Sequence, residues 1–212
     1  MITIHSIHIG QPQTITDESG VWQSSIFRQP VPGLLHLGLR GLAGDKVTDK
    51  KNHGSPDQAV CCHSFDHYSY WNNFYQTTTF APGGVGENWT LLDADEGAIC
   101  VGDVYKVGSA RVQVSGPRMP CTKPARKLQR PDLQKRTLET LRTGFYLRVI
   151  TPGMVEAGDQ WQLEEQPNPT LSLYAVNHCA YHEFDPALAH QLINTPQLAT
   201  SWVRLFRRKQ AS

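Results

Sequence analysis

The chain has 212 residues, 39% of them hydrophobic and 18% charged, with a formal net charge of +1. That length suits one domain, or one domain with a small appendage, large enough to bury a core without staples. No apolar run approaches the roughly 18 residues of a membrane span, residues 1–7 lack the pattern of a signal peptide, and five Cys, two of them the neighbours Cys61 and Cys62, exclude a disulfide scaffold. A cytoplasmic protein with reduced thiols is the expectation.

Ile2, Ile4, Ile7 and Ile9 predict an opening strand, and the aromatic-rich residues 64–75 a helix. Ile99-Cys100-Val101 predicts a later strand. Residues 104–107 and 110–114 alternate on either side of Gly108-Ser109, the pattern of a hairpin. Residues 131–141 begin with a helix-starting Pro and stop short of Gly144, which predicts a second helix. Residues 145–151 and 160–164 supply two more strands, and Gly-Asp recurs at 44–45, 102–103 and 158–159 where turns are needed. Many short strands with such punctuation predict a mainly β barrel or sandwich with helices over residues 1–165.

Beyond Pro167 and Pro169 the character changes. Asp185-Pro186 and Thr195-Pro196 each pair a cap residue with a Pro at the first helical position. Leu198, Trp202, Leu205 and Phe206 then share one helical face. With residues 170–182, this predicts three short helices over 166–212, packed as an appendage on the barrel.

The small net charge hides an asymmetry. Residues 104–148 hold 11 of the 20 Lys and Arg and only two acids, Asp132 and Glu139, which makes them +9 and the remainder −8. Such a field attracts phosphates, nucleic acid or an acidic partner, or it is a solvated basic helix.

Cys121 is the residue to which chemistry points first. It follows a predicted strand in Gly116-Pro117-Arg118-Met119-Pro120-Cys121-Thr122-Lys123, where two prolines narrow the loop's conformations. Arg118, Lys123, Arg126 and Lys127 lie near it in sequence, and positive charge favours the thiolate, the form that attacks electrophiles and binds metals. A small buried hydrophobe is the other reading of such a cysteine. Three further loops carry turn and polar residues: Gly41-Leu42-Ala43-Gly44-Asp45, the stretch from His53 to Val60, and Gly84-Val85-Gly86-Glu87-Asn88. Their backbone N–H groups can approach a polar ligand, and Glu87 and Asn88 can meet a heterocycle's nitrogens. His63/His67 and His178/His182 have i, i+4 spacing, which predicts that each pair shares a helical face and allows zinc, but CxxC and HExxH patterns are absent.

In that order, Gly41-Leu42-Ala43-Gly44-Asp45, His53-Gly54-Ser55-Pro56-Asp57, Gly86-Glu87-Asn88, Val101-Gly102-Asp103 and Pro117-Arg118-Met119-Pro120-Cys121 resemble the MOSC family, named for the C-terminal part of molybdenum cofactor sulfurases. The tail resembles the three-helix segment of its YiiM-type bacterial members. The resemblance implies a MOSC-type β-barrel that binds molybdenum cofactor (molybdopterin), with Cys121 as the protein ligand to the metal. It also implies reduction of N-hydroxylated compounds such as 6-N-hydroxylaminopurine, with Cys121, Arg118 and His53 in the chemistry. Gly44, Asp45, His53, Gly54, Asp57, Glu87, Asn88, Arg118, Cys121, Thr122 and Lys123 are then expected to hold the cofactor. Pyridoxal phosphate is a further family-level association.

With no flavin, nicotinamide or Fe–S motif, electrons are expected from a separate reductase. No membrane partner is implied, and a homodimer is allowed. Gln58 stands where the family usually carries Lys or Arg, and Val85 where it carries an aromatic residue. Two other readings make different predictions: a cofactor or sulfur carrier with a persulfide on Cys121, and a nucleic-acid-binding barrel, for which RNP-like and zinc-finger motifs are missing.

Overall fold

The structure, a computed structural model, describes residues 1–18 and 20–211. Strands β1 (Thr3–Ile9), β2 (Gln13–Asp17), β3 (Gly20–Ser24), β4 (Gln29–Pro30), β5 (Leu35–Gly38) and β6 (Gly41–Leu42) come first. They are followed by a short helix α1 (Lys50–His53), strand β7 (Val60–Ser64), helix α2 (Phe65–Tyr75) and strand β8 (Trp89–Leu92). The hairpin of β9 (Val104–Val107) and β10 (Ala110–Pro117) leads into helices α3 (Thr122–Lys127) and α4 (Leu133–Thr140). Then come β11 (Phe145–Thr151), β12 (Gly153–Val155), β13 (Trp161–Glu165), and helices α5 (Leu173–Tyr181), α6 (Pro186–Ile193) and α7 (Thr200–Gln210).

Eight strands form one mixed sheet in the order β13-β9-β10-β11-β7-β8-β1-β4, in which, among the described residues, only β7 and β8 pair in parallel. The sheet curls until β1 meets the start of β13, through Ile4 N to Asp159 O (3.0 Å) and Trp161 N to Ile2 O (2.9 Å). Alternation explains the curl's inside: Val112 and Val114 of β10, and Phe145 and Leu147 of β11, are buried, while Arg111, Gln113 and Arg148 between them are not. Trp161 fills the middle, its ring centroid 5.8 Å from that of Trp89 and 5.0 Å from that of Tyr105.

Helices α5 to α7 share that core rather than building another. Ser172 and Asp185 cap α5 and α6 by accepting from backbone N–H groups. Trp202 and Phe206 of α7 are buried, and Trp202 Nε1 donates to Pro117 O at 2.8 Å, tying α7 to the end of β10.

Four local expectations are corrected. Ile99-Cys100-Val101 is a turn with one isolated bridge, Cys100 to Ser172, because the Asp103 carboxylate takes the Cys100 N–H. His63 lies in strand β7 instead of sharing a helical face with His67, which is in α2. Helix α7 starts at Thr200, not Pro196: the Thr195 hydroxyl turns back to Gln191 O, and the Ala199 N–H is taken by Ser115 O. Cys121 is the N-cap of a helix, α3, that the two prolines concealed. Among the described residues, no helix is long and apolar enough to cross a membrane.

Candidate functional site

Strand β10 delivers Pro117 to the barrel rim, where the chain breaks away into the Arg118–Cys121 turn. Cys121 is half-buried, whereas Cys61, Cys62, Cys100 and Cys179 are buried. Beside it opens a cleft lined by Ser24, Ser25, Ile26, Arg28, Val47, Thr48, Asp49, His53, Gln58, Cys61, Gly86, Asn88, Arg118, Cys121, Lys123 and Tyr146. Five of the expected residues therefore converge: His53, Asn88, Arg118, Cys121 and Lys123.

A buried network shapes one wall. The Asp45 carboxylate accepts from Gly10 N (2.7 Å), Arg28 Nε (3.1 Å) and Nη2 (2.9 Å), and Asn88 Nδ2 (3.0 Å). Arg28 Nη1 in turn donates to Gly86 O at 2.6 Å. Gly86 is required here: its φ is +80° and a Cβ would lie 2.3 Å from Ile26 Cγ1. The Asn88 amide is spent on structure, since Oδ1 also accepts from Cys61 N (3.1 Å) and Nδ2 reaches His8 O (3.3 Å).

Across the cleft, Arg118 is 8% exposed and donates from Nη2 to Val85 O at 3.0 Å. Guanidinium keeps its charge in such surroundings. Lys123 stands 3.7 Å from Asp49, which caps α1. His53, at the end of α1, is pushed down to about 4 by burial and then by Lys123 and Arg118. It is therefore a neutral hydrogen-bonding imidazole at physiological pH.

The other expected residues lie elsewhere. Asp45 sits one layer behind the wall. Glu87 is fully buried and accepts from the Tyr68 hydroxyl, Gly83 N (2.7 Å) and Thr90 Oγ1 (2.7 Å), so it braces a loop. Asp57 pairs with Arg148 at 2.9 Å on the barrel's side. Gly44 makes a turn at φ +84°, Gly54 ends α1, and Thr122 is exposed at the start of α3.

Two of the four nearby cations also turn away: Arg126 grips Asp17 and lies 4.5 Å from the Trp22 ring centroid, and Lys127 donates to Ile26 O (3.1 Å) and Gly83 O (2.7 Å). Sequence reasoning missed Ser24, Ser25, Arg28, Thr48, Asp49, Cys61 and Tyr146 as lining residues; only Asp49-x-x-Asn52, a capping spacing, marked any of them.

Arg118 and Cys121 also line a second, smaller cavity, on the α2–α3–α4 side. His63 lies in its wall, buried, and pushed down to about 3 by burial and Arg118. Among the described residues, no three His, Cys, Asp or Glu side chains converge on a metal-sized point. A metal here would rest on Cys121 and on donors brought with it.

Comparison with known proteins places the chain among relatives. A MOSC domain model matches residues 49–162. The protein YflK of Bacillus subtilis strain 168 is 31% identical over 209 residues, 98% of this chain and 94% of that one. A protein of Gibberella moniliformis strain M3125 / FGSC 7600 named Reductase is 33% identical over 156 residues, 72% of this chain but 28% of that one. The crystal structure of YiiM from Geobacillus stearothermophilus is 37% identical and covers 99% of both chains with a TM-score of 0.83.

Proposed function

The chain belongs to the MOSC domain family, and from that premise we propose that it is a molybdenum-cofactor oxidoreductase reducing N-hydroxylated compounds, such as 6-N-hydroxylaminopurine, to amines. The observation that carries the reading is Cys121. It is the one half-buried cysteine among the described residues, and it shares a cleft wall with Arg118 and Lys123. The donor set fits the group: a soft sulfur for molybdenum, and Arg28 and Lys123 for a phosphate. The hydroxyls of Ser25 and Thr48, 2.7 Å apart, offer further donors to a pterin's edge. The name of the fungal relative supports a reductase.

Reduction of R–NHOH takes two electrons and two protons and gives R–NH2 and water. When bound, the cofactor would supply the two-electron redox chemistry that N–O cleavage needs. Cys121 holds it in place. Arg118, fixed by Val85 O, keeps positive charge beside the sulfur and steadies negative charge that develops on the oxygen. His53, neutral, can pass a proton at one ring nitrogen while accepting at the other. Electrons come from a separate reductase.

The test is expression in a host that makes molybdenum cofactor, followed by metal analysis and assay on an N-hydroxylated purine. Wild type is expected to hold stoichiometric molybdenum and to turn over; Cys121→Ser is expected to lose both. Retention of metal and turnover in the variant refutes the ligand assignment. A mass increment on Cys121 without molybdenum points to sulfur carriage instead.

A further inference from the structure

The cleft beside Cys121 is polar, but the cavity on the other side of Cys121 and Arg118 is not. Trp71, Val85, Pro120, Pro124, Ala125 and Leu133 make apolar walls. Small-molecule sites have this character: apolar surfaces with few, placed polar groups. Arg118, Gln134, Thr137 and Thr143 in the cavity wall are already hydrogen-bonded to backbone carbonyls, which leaves His63 as the placed group. Its side chain is buried at 2% exposure, and neither Nδ1 nor Nε2 has a hydrogen-bond partner among the described residues. A neutral imidazole carries one N–H donor and one acceptor, so two obligations go unmet. The Arg142 Nε, in the same wall, is likewise buried and unpartnered. Buried polar groups in native proteins are paired, and such exceptions need an explanation.

We propose that this second cavity seats the substrate's ring, and that it takes a planar, uncharged nitrogen heteroaromatic whose donor and acceptor pair with His63. Trp71, itself 1% exposed and held edge-on by Tyr70 at 5.0 Å between centroids, provides a fixed face for the ring to lie against. The assignment rests on the proposed reductase reading for the position of the reacting group. It divides the labour: the polar cleft receives the cofactor, the apolar cavity receives the ring, and Cys121 and Arg118 stand between them. His63 is then a specificity-determining residue, since a pocket built to hydrogen-bond a substrate rejects an analogue lacking the matching groups.

Calorimetric titration with adenine, the amine product of the proposed reaction, tests this. An aminonaphthalene, a flat fused bicycle of similar size with an amino group but no ring nitrogens, serves as the comparison. Adenine is expected to bind wild type, and His63→Phe is expected to weaken it at least about tenfold. The aminonaphthalene should change less than about twofold in that variant, because an apolar ring replaces a ring of similar shape. His63→Gln keeps a donor and an acceptor and should retain part of the adenine binding.

Thr137→Phe, which grows a side chain into the cavity from α4, should exclude both ligands. It carries the test should His63→Phe not fold. Failure of adenine to bind wild type, or unchanged adenine binding in either Phe variant, overturns the assignment. Molybdenum analysis of the same samples separates the two readings. Protein that binds adenine through His63 but never takes up molybdenum overturns the cofactor reading alone. A molybdenum-loaded protein whose adenine binding ignores His63 overturns the cavity assignment alone.

Discussion

Asp45 was expected to touch a ligand, and the structure gives it a different task, which Asp45→Ala tests. Its side chain is 8% exposed and that of Arg28 is 12% exposed, so both charges are largely withdrawn from water. Removing the carboxylate leaves Arg28 facing the cleft without its counter-charge, and strips Gly10 N and Asn88 Nδ2 of acceptors. Breaking one side of a buried pair costs about 3–5 kcal/mol. Water entering from the cleft relieves part of that, which puts the expected loss near about 3 kcal/mol. At a urea dependence of about 2 kcal/mol per M, the unfolding midpoint falls by about 1.5 M. Adding Arg28→Met should recover stability, because two absent charges cost less than one stranded charge. Equilibrium urea unfolding of the single and double variants decides the matter. A loss under about 1 kcal/mol for Asp45→Ala, or additivity of the two changes within about 0.5 kcal/mol, refutes the idea that Asp45 holds Arg28 in the wall.

Two further perturbations probe the fold around the site. Glu96 is buried and accepts from Gly144 N at 2.6 Å, and burial pushes it up to about 8 from 4.5. The unfolded chain thus releases this proton before the folded one does, so stability falls as pH rises from about 4.5 to about 8, by at most about 1.4 kcal/mol per pH unit. Glu96→Gln should flatten that slope in thermal melts, and an unchanged slope counts against it. Trp202→Phe removes the Nε1 hydrogen bond to Pro117 O and should cost about 1–2 kcal/mol. Because Pro117 immediately precedes Arg118, the same variant should raise the reactivity of Cys121 toward a thiol reagent; reactivity equal to wild type argues that α7 does not steady the loop.

Where a pattern is local, the sequence carried it. The β9–β10 hairpin follows from alternation around Gly108-Ser109, and α6 from Asp185-Pro186, whose carboxylate caps as the residue type requires. Strand β7 hid because all five of its residues are buried between β11 and β8, so it has no polar face to alternate. Strands β4, β6 and β12 are two or three residues long and leave no period to detect. Thr195 fails as a cap for a tertiary reason: the backbone donors near the start of α7 are claimed by other partners, Ala199 N by Ser115 O among them.

The candidate site divides along the same line, and charge shows why. Nearness in sequence implied that Arg118, Lys123, Arg126 and Lys127 all bathe Cys121 in positive potential. Two of them do share its cleft, but the Arg126 partner is Asp17, 109 residues away, and Lys127 is spent on carbonyl oxygens. The +9 segment likewise dissolves into pairs drawn from the −8 remainder: Arg111 with Glu164 and Glu165, Lys123 with Asp49, Arg148 with Asp57. Meanwhile Arg28, an isolated cation outside every motif, arrives in the cleft because Asp45 and Gly86 O hold it there. Coulomb energy depends on distance in space, and at the separations of these pairs a partner's counter-charge cancels most of a cation's field a few ångströms beyond it. Arg28 and Lys123 face the cleft already offset by Asp45 and Asp49, so the potential at Cys121 rests chiefly on Arg118, a property of contacts between distant segments that no local motif encodes.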